Sequence, residues 1–296
     1  MGGTRMPING PVPNWLFSGL IALTLWVVMF HLGMAIIASE FRRVLARPGL
    51  LLKGLFAVLI VVPALALAIA KNFDLGRSAE IGIVLMSVSP GAPIALRRSI
   101  KAGGDLSYAS ALQILVSLLV VFSMPAWVWA LDRVYDVQAE IAPWHLAKQV
   151  FLAQLLPLCI GIALRYAAPQ TVKWLRPKLA PVATGLLLIL IPLAIFNIWE
   201  VVVGENWRVI VAVAMITLLA LCLGHLLGGP EPGTRTATAI ASAARNPGLA
   251  LLVASLNGAR PEIIAAILAY FIVSAITALP YVIWRRRLII QPSNRT

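Results

Sequence analysis

The sequence predicts an all-α polytopic membrane protein that forms a single transmembrane domain over residues 1–296. Hydrophobic residues make up 60% of the chain and charged residues 12%, and the mean hydropathy is +0.92. Soluble domains hold roughly a quarter charged residues, so this composition is typical of a chain embedded in lipid. Apolar stretches of about 20 residues, the length that spans a bilayer, recur along the sequence. They predict nine transmembrane helices, at residues 15–37, 49–70, 79–100, 106–131, 145–166, 179–203, 207–227, 235–256 and 261–284.

The first span follows Arg5, so a cleavable signal peptide is an alternative interpretation of this segment. Its apolar stretch is longer than the core of a signal peptide, which holds about 7 to 15 residues, and we therefore expect a retained helix. The connections between the spans are short and rich in turn residues, as in "KNFDLGRSAE". They leave no room for a separate soluble domain.

The chain has 24 lysine and arginine residues against 11 acidic ones, a net charge of +13. Such a balance can indicate nucleic-acid binding, but most of the basic residues cluster on alternate connections of the predicted spans. The positive-inside rule then places the amino terminus outside and the carboxyl terminus in the cytoplasm, in a cell inner membrane. We therefore expect no nucleic-acid partner. The clustered residues are Arg42, Arg43, Arg47, Lys53, Arg97, Arg98, Lys101, Arg165, Lys173, Arg176, Lys178, Arg235, Arg285, Arg286, Arg287 and Arg295.

No combination of residues in the sequence points to an enzyme, a cofactor or a metal site. Cys159 and Cys222 lie in separate spans and form no CxxC pair. His31, His145 and His225 are far apart and have no carboxylate at the spacing of a metal ligand. The sequence also contains no Walker motif, GxSxG elbow or HExxH motif.

Two predicted spans carry a Pro-Gly pair in mid-course, "SVSPGAP" in the third and "ARNPGL" in the eighth. Proline removes an amide donor and glycine relaxes the backbone, so both segments are expected to unwind. Unwound backbone persists in a membrane only inside the protein or beside water. The two spans are five apart and cross in opposite directions, which is typical of an inverted repeat with its binding site at the repeat interface. A simple kink is the alternative. The predicted break residues are Pro90, Pro93 and Pro247.

Arg245 lies beside the second break, in the middle of a predicted span. An arginine there costs about 2.5 to 3.5 kcal/mol on insertion scales and usually faces a cavity or a partner. All 11 carboxylates fall in connections or at span ends. Two interpretations stay open. The guanidinium reaches an interface or donates to carbonyls freed at the breaks, or it faces a cavity and meets an anionic substrate together with the amino termini of half-helices.

Polar side chains in other spans are weaker candidates. Gln113 in the fourth span and Asn197 in the sixth are candidates for lining a polar path, although hydrogen bonding between helices is the commoner explanation for each. His31 is a candidate for proton coupling because imidazole titrates near physiological pH. A buried, hydrogen-bonded histidine is the alternative.

Three blocks of the sequence resemble the bile acid:sodium symporter superfamily. They are "VVMFHLGMAIIASEFRRVLARPGLLLKGLFAVLIVVPALAL" at 27–67, "SPGAPIALRRSIKAGGDLSYASAL" at 89–112 and "ARNPGLALLVA" at 244–254. The resemblance runs from about residue 20 to about residue 285. It implies an inverted repeat of four plus five helices, in which a panel domain packs against a core domain and two discontinuous helices cross in the core.

The chain departs from this family at the positions that hold sodium in its sodium-coupled members. The family motif that matches the third block begins three residues before it, with a glutamate that reads Ala241 here. The glutamine of that motif reads Arg245. The glutamine that precedes the proline of the second span reads Val58. A hard cation needs oxygen ligands, so we do not expect the usual sodium sites to form. We hypothesise that the Arg245 guanidinium takes the place of a bound sodium charge. Further departures are Ala95, Leu96, Ala109 and Gln113.

The expected function is secondary transport of small organic anions by alternating access, without sodium coupling through the usual family sites. The alternative is a non-transporting membrane sensor or binding protein that keeps the fold. The expected partners are the organic anion and the lipid bilayer, and the substrate, the direction, the coupling ion and the oligomeric state stay open. The expected substrate-binding residues are Arg245, Asn246, Gly248, Ser89, Gly91, Gln113 and Asn197.

Overall fold

The computed structural model describes residues 14–35, 47–135, 143–197 and 207–290, and these residues form helices and no strand. Most of the helices begin with a proline, whose fixed φ and missing amide suit the first helical position. The helices are α1 (Asn14–Gly33), α2 (Pro48–Asn72), α3 (Arg77–Ser87), α4 (Pro93–Lys101), α5 (Leu106–Tyr135), α6 (Pro143–Ala167), α7 (Pro169–Asn197), α8 (Trp207–Leu227), α9 (Pro232–Ala243), α10 (Pro247–Leu256), α11 (Pro261–Thr277) and α12 (Leu279–Ile290).

Seven stretches of the described residues are long and apolar enough to cross a membrane, so the protein is a polytopic membrane protein whose described part is all-helical. They agree with seven of the predicted spans to within a few residues. The predicted span 79–100 is divided into α3 and α4, each too short to cross alone. The predicted span 179–203 runs beyond the end of α7 into residues outside the described ranges. Nine spans and a four-plus-five repeat therefore stay predictions.

Both segments with a Pro-Gly pair interrupt their helices. Residues 88–92 separate α3 from α4, and residues 244–246 separate α9 from α10. Gly91 has a φ of +85°, a left-handed conformation that glycine adopts without steric cost. Asn246 is extended, with φ −94° and ψ 94°, as expected for a residue that precedes a proline.

Two of the long helices contain a π turn just before a proline. The turn covers Ala57–Val61 in α2, before Pro63, and Phe151–Leu155 in α6, before Pro157. In such a turn the amide bonds to the carbonyl five residues back rather than four, which leaves one carbonyl without its usual partner. Proline supplies no amide in its place. Each turn therefore opens the backbone of a buried helix to side-chain donors.

The helices pack into a connected core. α1 packs mainly on α6 and α7, α3 packs on α11, and α8 packs on α9. Gly33 of α1 and Gly161 of α6 bring their helices together, because their Cα atoms face each other across the contact. A methyl group at Gly33 would overlap the Leu158 carbonyl oxygen and lie 3.0 Å from the Gly161 Cα.

We expect Gly33→Ala to destabilise the protein, since overpacking of a close contact costs about 1 to 3 kcal/mol. The matched control is Gly19→Ala on the same helix, where a methyl group meets nothing within 4 Å. The measurement is the thermal unfolding midpoint of each purified variant in detergent. Equal midpoints for the two variants would contradict the packing of α1 on α6.

Candidate functional site

The two helix breaks meet in the interior of the protein. The backbone amide of Asn246 donates a hydrogen bond to the backbone carbonyl oxygen of Ser89, with an N–O distance of 2.8 Å. Ser89 is fully buried, and Arg245 and Asn246 are each 3% exposed. We call residues 88–92 and 244–246 together the crossing. The crossing is closed in this structure, because its polar side chains are covered by neighbouring helices.

The Arg245 guanidinium lies at the crossing and donates to three backbone carbonyls. Its Nη1 is 3.0 Å from the Val58 oxygen and 2.9 Å from the Ser87 oxygen, and its Nη2 is 2.5 Å from the Ser242 oxygen. Neither ion pair found among the described residues includes Arg245. Its positive charge is therefore balanced by backbone dipoles from α2, α3 and α9.

The π turn of α2 explains why the Val58 carbonyl is free to accept. The Val62 amide, its partner in a regular α-helix, donates to the Ala57 oxygen instead. The next residue, Pro63, has no amide to offer. A buried carbonyl without a donor is costly inside a membrane protein, and the Arg245 guanidinium removes that cost.

The other two acceptors belong to helix ends. Ser87 is the last residue of α3, and Ser242 lies one residue before the end of α9. The last four carbonyls of a helix lack intrahelical donors, and the helix dipole gives this end a partial negative charge. Arg245 thus places a cation between two negative helix ends that converge at the crossing.

Asn246 connects the crossing to α6. Its side-chain oxygen accepts from the Leu249 amide at 3.3 Å and caps α10, while its Nδ2 donates to the Gln154 Oε1 at 3.1 Å. Gln154 belongs to the π turn of α6. At the opposite end of α10, Asn257 donates to the Gln149 side chain at 3.0 Å. Helix α6 therefore bonds to both ends of α10.

Two unpaired donors face Gly91. Gln113 holds the first break by donating its Nε2 to the Gly91 oxygen at 2.8 Å. The Ser117 hydroxyl and the Gln154 Nε2 are buried and have no hydrogen-bond partner among the described residues. A methyl group on Gly91 would lie 3.3 Å from the hydroxyl and 3.4 Å from the Nε2. Both donors therefore converge on the space that glycine leaves open.

The structure brings together most of the predicted substrate-binding residues. Ser89 bonds to Asn246 and Gly91 bonds to Gln113, whereas Arg245 lies at the crossing and bonds to Val58, Ser87 and Ser242. Of the other two predicted substrate-binding residues, Gly248 lies in the first turn of α10, and the Asn197 side chain lies outside the described residues. Of the predicted break residues, Pro90 lies within the first break, and Pro93 and Pro247 begin the half-helices that follow the breaks.

His31 lies elsewhere, near the end of α1. Its charged neighbours are Arg176 and Arg97, and no described hydrogen bond joins it to the crossing. Gln154, which bonds directly to Asn246, is not among the residues predicted from the sequence. A glutamine in the middle of an apolar span, three residues before a proline, is the signal that identifies this position.

Comparison with known proteins identifies the family. The sequence pattern of the Sodium Bile acid symporter family matches residues 22–205, more than half of the chain. A probable chloroplast sodium/metabolite cotransporter of Arabidopsis thaliana is 25% identical over 220 residues, covering 74% of this chain and 51% of the plant protein. A sodium-dependent organic anion transporter of Mus musculus is 21% identical over 214 residues, covering 72% of this chain and 56% of the mouse protein.

A bacterial relative gives a similar match. An uncharacterized sodium-dependent transporter of Bacillus subtilis is 20% identical over 218 residues, covering 73% of this chain and 64% of the bacterial protein. This chain thus spans about half to two thirds of the length of the relatives it matches. The family match, the apolar helices and the two interrupted helices lead to one conclusion. The chain belongs to the sodium bile acid symporter family.

Proposed function

We propose that the protein is a secondary transporter of small organic anions that works by alternating access and is not coupled to sodium through the usual family sites. The observation that carries the second part is the set of bonds from the Arg245 guanidinium to three backbone carbonyls. Transport itself is supported by the family and by the names of the relatives, which are cotransporters or an organic anion transporter.

The contacts of Arg245 support its role as a substitute for a bound cation. In transporters with interrupted helices, unwound carbonyls and the carboxyl ends of half-helices coordinate sodium. Here the carbonyls of Val58, Ser87 and Ser242 are of that kind, and each accepts from the guanidinium. Side-chain oxygen ligands are absent at Val58 and Ala241. Because the guanidinium, a cation that is part of the chain, already binds these carbonyls, no set of vacant oxygen ligands is left there for a sodium ion.

The other side of the crossing suits an anion. Helices α4 and α10 begin at the breaks, and their amino termini carry partial positive charge. The unpaired Ser117 hydroxyl and Gln154 Nε2 lie next to the first break and are available as donors. A carboxylate or sulfonate group accepts such bonds. We therefore propose that the substrate presents its anionic group to Gly91, between these two donors.

Alternating access requires contacts that exchange between two states. We assign α6 to the proposed panel domain and α10 to the core domain of a nine-span, four-plus-five repeat. The bonds from Asn246 to Gln154 and from Asn257 to Gln149 then join the two domains. Opening of the crossing would break these bonds and expose the unpaired Gln154 Nε2 to the substrate. The closed structure corresponds to the state in which the substrate has no path to the site.

The closed crossing also favours a second candidate function. A sensor or binding protein that keeps the fold needs no path through the membrane, and a permanently packed crossing suits that role. The two functions differ in whether an anion crosses the membrane, so a flux measurement separates them.

We expect purified protein in proteoliposomes to take up an organic anion at the same rate when sodium is replaced by choline. The reason is that Arg245 already occupies the carbonyl ligands of a cation. The measurement is uptake of radiolabelled taurocholate and of a panel of smaller mono- and dicarboxylates. A strong requirement for sodium would show that a working sodium site exists and would end this account of Arg245.

Two controls keep the uptake experiment decisive. Gln154→Leu removes a proposed substrate donor and is expected to abolish uptake. Thr217→Ala is the matched control, because it removes a buried hydroxyl whose described hydrogen bond lies within its own helix, to the Val213 oxygen at 2.8 Å. We expect Thr217→Ala to transport normally. Binding of an anion without flux in either buffer would favour the sensor.

We expect Arg245→Ala to lower the stability of the folded protein strongly. A buried carbonyl left without a donor costs about 1 to 3 kcal/mol, and three carbonyls lose their donor in this variant. Arg245→Lys keeps the charge, and its stability is expected to lie between that of the wild type and that of Arg245→Ala. The control is Arg208→Ala, which breaks an exposed ion pair with Asp74 worth about 1 kcal/mol or less. If Arg245→Ala unfolds at the same midpoint as Arg208→Ala in sodium-free buffer, the guanidinium does not hold the crossing together.

A further inference from the structure

A basic pocket lies at the junction of α6 and α7, away from the crossing. Its volume is about 310 Å³. Three of the six lining residues are cations, and the others form an apolar wall. The pocket is lined by Arg165, Lys173, Arg176, Pro169, Val172 and Pro177.

Two more basic residues from other helices, Arg97 and His31, lie near this pocket. Arg165 and Arg97 are charged neighbours of Arg176, and Arg176 and Arg97 are charged neighbours of His31. The half-helix α4 and the α6–α7 junction thus contribute positive charge to one region, beside the His31 imidazole at the end of α1. Both ion pairs found among the described residues lie elsewhere, between Arg47 and Glu231 and between Arg208 and Asp74.

One cation of the pocket, Arg165, is held in place by a hydrogen bond, and the cations repel one another. The Arg165 Nη1 donates to the Met34 oxygen at 2.7 Å, which fixes the guanidinium against the end of α1. Arg176 lies before the start of the predicted span 179–203. Partial burial, together with the positive charges of Arg165 and Arg97, lowers the pKa of its guanidinium. A group whose pKa is lowered in this way is destabilised in its charged form. An anion placed among these residues would relieve that repulsion.

The geometry suits a phosphate group. Arginine offers a planar set of donors that matches the oxygens of phosphate, and lysine adds a compact charge. The pocket volume is near the lower end of the range of about 300 to 1,000 Å³ for small-molecule sites, so it accommodates a headgroup rather than a large ligand. Trp174, 62% exposed, is next to Lys173 in sequence. An exposed tryptophan near a span end is typical of the membrane interface, where headgroups lie.

We propose that the basic pocket binds a phosphate group, and that the phosphodiester of an acidic phospholipid is the source its position favours. Basic pockets between transmembrane helices on the cytoplasmic side are known to bind acidic headgroups. A bound phosphate bridges Arg165, Lys173 and Arg176 and so stabilises the α6–α7 junction. This site is independent of the crossing and does not rest on transport of an anion.

The test uses the full chain purified in detergent and follows the thermal unfolding midpoint. One arm adds phosphatidylglycerol, with phosphatidylcholine of the same acyl chains as reference. A second arm adds potassium phosphate, with potassium chloride at equal ionic strength as reference. We expect phosphatidylglycerol to raise the midpoint by several degrees more than phosphatidylcholine. Arg176→Gln is expected to weaken the apparent affinity for phosphatidylglycerol about tenfold, the size of one lost charge-assisted contact.

The matched control is Lys178→Gln, which removes the same charge from the same helix. Lys178 lies over the Trp174 ring, 3.5 Å from its centroid, and does not line the pocket. We expect this variant to bind phosphatidylglycerol like the wild type. If Arg176→Gln folds poorly, Lys173→Gln serves in its place, because Lys173 is exposed and lines the same pocket.

The outcomes separate the two sources of phosphate. Stabilisation by potassium phosphate alone, lost in Arg176→Gln, supports the pocket and assigns it to a soluble phosphate compound. Stabilisation by phosphatidylglycerol, lost in Arg176→Gln and kept in Lys178→Gln, supports the headgroup. The proposal is overturned if neither addition stabilises the protein, or if Lys178→Gln loses as much affinity as Arg176→Gln, since the effect then belongs to the general surface charge.

Discussion

The structure of the crossing depends on how buried backbone carbonyls are satisfied where helices are interrupted. Water is absent from the interior of a membrane, so each free carbonyl needs a donor from the protein. The breaks after α3 and α9 and the π turn of α2 free carbonyls at Ser87, Ser242 and Val58, and one guanidinium bonds to all three. Because these carbonyls belong to three different helices, Arg245 also holds the helices together.

This constraint orders the charges around the crossing. The carboxyl ends of α3 and α9 attract a cation, and Arg245 provides it permanently. The amino ends of α4 and α10 favour an anion, and the unpaired donors of Ser117 and Gln154 lie beside the first break. The chain itself thus provides both the cation and the carbonyls that it binds at the crossing. Under the proposed function, coupling by sodium and structural support of the crossing are separate roles, and Arg245 supplies the second.

The sequence was sufficient to predict where seven of the spans lie and where two helices break, because apolar length and Pro-Gly pairs are local properties. It also predicted that residues of both breaks come together. It left two interpretations of Arg245 open, since the direction of its side chain depends on carbonyls that other helices supply. The π turn that frees the Val58 carbonyl has no clear local pattern beyond the later proline. Gln154 has a local signal, a glutamine before a proline in an apolar span, but its role depends on contact with Asn246, 92 residues further along the chain.

We propose that the Arg245 guanidinium stands where a sodium ion would bind. The most direct measurement compares the thermal unfolding midpoints of the wild type and Arg245→Gln in sodium chloride and in choline chloride at equal concentration. The account predicts no difference between the two salts for the wild type, because the carbonyl oxygens are already occupied. It predicts a lower midpoint for Arg245→Gln in choline and a partial recovery in sodium. A wild-type midpoint that rises in sodium would contradict the account, because it would show that a sodium site coexists with the guanidinium.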